Sequence, residues 1–112
     1  MFGFGKKKID KGAWAEAVFG KRLKKPNQVS EQELSAYTTG MLQQYLRIIL
    51  ESANIVRTTH NPETKQGRIE LCHINLERMK KLEQFCNDEQ KAMILQAESA
   101  INEMLYGLNH IF

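Results

Sequence analysis

Residues 30–62 read SEQELSAYTTGMLQQYLRIILESANIVRTTHNP, and the fold turns on them. Ser30 is placed to cap a helix: Glu33, three residues on, is positioned to reach back to the Ser30 amide, and Val29 to pack against Leu34. A capping box and a hydrophobic staple thus mark one N-terminus. Beyond it only Gly40 interrupts the helical pattern before Asn61-Pro62. A helix to about Thr59 would be roughly 44 Å long at 1.5 Å per residue.

The apolar residues of this helix fall on two adjoining stripes. Leu34, Tyr37, Met41, Tyr45, Ile48 and Ile55 form one, and Leu42, Leu46, Ile49, Ala53 and Val56 the other. A single stripe suffices against one neighbour, so two imply contact with both later helices or with another copy of the chain. The second stripe is the candidate partner-binding surface. Gly40 costs about 1 kcal/mol relative to alanine in mid-helix, a cost that close approach of another backbone would offset.

Downstream, Asn61 is the expected N-cap of a second helix, with Pro62 at N1, where its missing amide does no harm, and Glu63 favourably placed in the macrodipole. Ile69, Cys72, Leu76, Met79 and Cys86 repeat at three-four spacing, widened by Leu71, Leu82 and Phe85, so this helix should span about 62–86. Asn87 or Asp88 caps a third over 88–110, where Ile94, Ala97, Ile101, Met104, Leu108 and Ile111 recur beside Met93 and Leu105. Two capping residues in so short a joint favour folding back. The expected fold is all-α: three long helices in an antiparallel bundle over residues 30–112, preceded by a basic, aromatic segment, 1–29. There Asp10 can cap a short helix running to about Leu23, with Trp14 stacked on Val18 and with Ala15 and Phe19 on the same side. Lys24-Lys25-Pro26 ends it.

Charge is unevenly spread. Residues 1–29 hold eight of the 16 Lys and Arg against two acidic residues, a net of +6, whereas residues 30–112 carry a net of −3. Such a head either meets an anionic partner or folds back on the body. Lys6, Lys7, Lys8, Trp14, Phe19, Lys21, Arg22, Lys24 and Lys25 are the candidate contacts to an anionic membrane or to nucleic-acid phosphates.

No apolar run reaches the roughly 20 residues that cross a bilayer. The N-terminus does not read as a signal peptide, since Gly12 to Phe19 is short and carries Glu16, and Phe2 replaces the glycine that myristoylation needs. Cys72 and Cys86 share one expected helix, about 21 Å apart and beyond disulfide reach, which points to a reducing cytoplasm.

Chemistry finds little support. His60, His73 and His110 show no zinc spacing, and Glu70 with His73 makes a single Glu-x-x-His where a carboxylate bundle needs two. Neither a nucleophile elbow nor a phosphate-binding loop is present. No cofactor, metal or catalytic residue is expected. The stretch Glu51-Ser52-Ala53-Asn54-Ile55-Val56-Arg57-Thr58-Thr59-His60-Asn61-Pro62-Glu63-Thr64, with Arg68 after it, resembles a segment of small uncharacterised helical proteins of Gram-positive bacteria and their phages. Lys65-Gln66 stand where that segment usually has aromatic residues. The resemblance implies a helical fold, brings no known activity with it and carries over no functional residue. The expectation is a non-enzymatic helical interaction module that self-associates, the alternative a peripheral binder of anionic membrane or nucleic acid.

Overall fold

The computed structural model describes residues 9–20 and 29–111. These are all-helical, with four α-helices: α1 (Lys11–Phe19), α2 (Glu31–Thr58), α3 (Pro62–Leu82) and α4 (Asp88–Ile111), with a 3₁₀ turn at Glu83–Phe85 between the last two.

The caps form largely where the side-chain chemistry places them. Asp10 accepts from the Ala13 amide at 3.1 Å and Ser30 from the Glu33 amide at 3.0 Å. Asn61 accepts from both Glu63 and Thr64, at 2.9 and 3.2 Å, with Pro62 in the first turn. Three expectations need correction. The first helix ends at Phe19 rather than near Leu23, because Gly20 takes the left-handed conformation (φ 77°) and returns its amide to the Glu16 carbonyl. The reciprocal half of the Ser30 box is missing, since the Glu33 carboxylate bonds to no described residue. And α3 stops at Leu82, where the chain tightens so that Phe85 is buried and Cys86 leaves in an extended conformation. Leu23 itself lies outside the described residues.

Packing is organised around α2, which contacts both α3 and α4, while α3 and α4 touch each other far less. Leu34, Leu42, Ile49, Ala53 and Val56 of α2 meet Cys72, Met79 and Leu82 of α3 and Ile94, Ala97, Ile101 and Met104 of α4 in one core. Trp14 and Ala15 of α1 belong to the same core. Specific bonds fix the contacts: the Cys72 thiol donates to the Ile49 carbonyl at 3.7 Å, and Gln90, at the start of α4, reaches Ser35 and Thr39 near the start of α2. The Cα trace measures 53 × 32 × 15 Å, with a radius of gyration of 16.8 Å. A compact chain of this length would have about 13 Å.

A methyl group on Gly40 would meet nothing within 4 Å, so no neighbouring backbone approaches to offset its cost. Ser52 Oγ and Asn75 Oδ1 are buried without a hydrogen-bond partner, each a local cost against stability.

Candidate interaction surfaces

The stripe singled out for a partner is used inside the chain. Leu42, Ile49, Ala53 and Val56 are 0–1% exposed and Leu46 is half-buried. The first four belong to the core shared with α3 and α4 and Leu46 packs against it, so in this conformation only part of Leu46 is open to a second chain. The other stripe stays partly open: Leu34 is buried, but Met41, Tyr45, Ile48 and Ile55 are half-buried and Tyr37 is exposed. The reason is geometric. With α3 and α4 both against α2, the line between them is the best-covered part of its surface.

Among the candidate anion contacts, Lys6, Lys7, Lys8, Lys21, Arg22, Lys24 and Lys25 lie outside the described residues. Trp14 is only 3% exposed, so its indole has almost no contact with solvent in this conformation. Its indole Nε1–H donates to Thr38 Oγ1 at 2.9 Å, and that hydroxyl donates to the Leu34 carbonyl at 2.8 Å. Every polar group in this relay is satisfied, as buried polar groups must be. Phe19 and Tyr37 pack around the indole with ring centroids 5.8 and 5.7 Å from it, both close to perpendicular, an arrangement favoured by the aromatic quadrupole.

Alongside α1 lies an open groove of mixed charge, with Ala13, Glu16, Ala17 and Gly20 from the α1 side and Lys80, Lys81, Glu83, Gln84 and Lys91 from α3, the turn after it and α4. Lys80 pairs with Glu98 at 3.4 Å, an ion pair exposed enough to contribute little. A third surface is the outer side of α4. Leu95 and Tyr106 are 64% and 65% exposed, the most open of the large apolar side chains among the described residues. Eleven residues apart, they lie within about 20° of one another around a 3.6-residue helix and so share one stripe, with Ser99 and Asn102 between them.

Glu70 and His73 are both exposed, and the Glu70 carboxylate accepts from the Gln66 amide at 3.2 Å. Among the described residues no three His, Cys, Asp or Glu side chains come together to hold a metal ion. Both cysteines are free. Burial raises the Cys72 thiol above its ordinary value, and burial with the Glu83 carboxylate pushes Cys86 up to about 11, which keeps both protonated and poorly nucleophilic at neutral pH. Among the described residues no helix is long and apolar enough to cross a membrane.

No protein-family model, curated protein or solved structure matches this chain. Its surfaces therefore carry the functional argument alone.

Sequence reasoning passed over Thr38 and Gln90, both at most 2% exposed. For Gln90 a signal was present: Asn87-x-x-Gln90 has capping-box spacing, and both reciprocal bonds form at 2.8 Å. Nothing local marks Thr38, whose partner lies 24 residues away.

Proposed function

We propose that this chain is a non-enzymatic helical interaction module in which α2, α3 and α4 form an antiparallel three-helix arrangement and the outer face of α4 docks a second copy. The observation that carries the reading is the exposed stripe bearing Leu95 and Tyr106. Its spacing suits a two-fold pairing. If two α4 helices cross antiparallel about a point between residues 100 and 101, Leu95 of each faces Tyr106 of the other, and Ser99 faces Asn102. A self-complementary patch of this kind is what an isologous dimer requires. The contact is small, so association is weak and concentration-dependent. A reducing cytoplasm suits the two free cysteines.

The test is sedimentation of the full chain over a concentration series, alongside Leu95→Lys and Tyr106→Lys. Wild type should move from monomer towards dimer while both variants stay monomeric. A wild-type chain that is monomeric throughout, or variants that associate equally well, would refute the assignment.

A second reading, binding to an anionic membrane or nucleic acid, rests on the eight cations of residues 1–29 and on Lys80, Lys81 and Lys91 beside α1. Replacing Lys6, Lys7 and Lys8 by glutamine should then weaken binding to anionic vesicles or duplex DNA, and the difference should shrink at high salt. Equal weak binding by both proteins would remove this reading.

A further inference from the structure

The aromatic cluster that holds α1 also borders a shallow, solvent-open pocket of about 280 Å³, lined by Trp14, Phe19, Val29, Glu33 and Tyr37. This lies below the roughly 300–1,000 Å³ of pockets for drug-sized ligands, so it suits a small head group. Phe19 and Tyr37 remain 45% and 49% exposed although each contacts the other two rings. Their planes meet at 54° with centroids 5.8 Å apart, so they are tilted rather than stacked. Trp14 cannot turn away, because its Nε1–H is held by Thr38. Glu33 lies one helical turn before Tyr37 on the same side of α2 and lines the same pocket. Its carboxylate takes no hydrogen bond or ion pair from any described residue.

Aromatic rings beside a carboxylate that no described residue pairs favour a cation. A primary ammonium is strongly hydrated and needs three acceptors, whereas among the described residues the only ionised acceptor lining this pocket is Glu33. A methylated ammonium has no such demand, and its polarised methyl groups fit aromatic faces. We propose that this pocket binds a methylated ammonium head group, free as in choline or carried on a trimethylated lysine. The assignment does not depend on self-association through α4.

The experiment titrates the full chain with tetramethylammonium, choline and the amide of N-acetyl-trimethyl-lysine, with 3,3-dimethylbutan-1-ol as choline's neutral isostere. The readouts are the upfield ring-current shift of the ligand methyl protons and the fluorescence of Trp14, the single tryptophan. The expected result is saturable binding of the cations and none of the alcohol. Tyr37→Leu and Glu33→Gln, both at exposed positions, should each weaken cation binding about fivefold or more with unchanged helical circular dichroism. Ten-fold preference for choline or for the lysine derivative would support the site and name its source. Equal binding of the neutral alcohol, absence of saturable shifts, or unchanged affinity in both variants would overturn it.

Discussion

Replacing Gln90 by leucine tests whether α4 is fixed to α2 by one buried amide. The side chain is 2% exposed and fully committed. Its Oε1 accepts from the Asn87 amide at 2.8 Å, and its Nε2 donates to the Ser35 carbonyl, the Ser35 hydroxyl and the Thr39 hydroxyl at 3.0, 3.2 and 2.9 Å. Leucine keeps most of the volume and none of these bonds. At about 1 kcal/mol net per bond, and with two donor hydrogens on Nε2 shared among three acceptors, the loss is about 2–4 kcal/mol. The stranded Asn87 amide is included in that range. The assay is urea unfolding followed by circular dichroism, with Thr39→Val and the double variant completing a cycle. Gln90→Leu should lower the unfolding free energy by that amount, and the cycle should return a coupling of about 1 kcal/mol. A loss below about 0.5 kcal/mol would refute the reasoning, because it would place the docking of α4 entirely in its apolar stripe.

Two other perturbations address the scaffold. Gly40→Ala should stabilise the chain by about 1 kcal/mol, since the added methyl meets nothing and the unfolded chain loses freedom, and thermal unfolding should occur a few degrees higher; an unchanged or lower midpoint would contradict the open surroundings. Cys86, raised from its ordinary 9.0 to about 11, keeps its proton when folded at pH values where the unfolded thiol has lost it. Its contribution is therefore complete below about pH 9 and is lost as pH rises from there to about 11. Unfolding at a series of alkaline pH values should show this decline, and Cys86→Ala should show less of it.

The helices were legible because their signals are local. Ser30, Asn61-Pro62 and the three-four spacing of Ile94, Ala97, Ile101 and Met104 act over single turns, and these caps and the burial of that spacing are present in the structure. What could not be read depends on distant residues. Choosing between the two stripes of α2 required the positions of α3 and α4, and the stripe assigned to a partner became the core. Hydropathy also has the wrong sign for Thr38, Ser52, Asn75 and Gln90, all at most 2% exposed. Trp14 and Phe19 look like membrane anchors beside lysines, and only the return of the chain to Thr38 and Tyr37 puts the indole inside. The Ser30-x-x-Glu33 spacing reads as a full capping box, whereas the Glu33 carboxylate bonds to no described residue and lines the aromatic pocket instead.

The smallest dimension of the Cα trace, 15 Å, has a thermodynamic consequence. In a plate this thin, few side chains are more than one layer from water, so a larger share of potential stability lies on the two broad faces than in a spherical domain. Any molecule that covers a face of the native plate and ignores the unfolded chain adds RT ln(1 + [L]/Kd) to its stability. Folding and binding would then be linked equilibria, and the melting temperature of this chain would report how much of any such molecule is present.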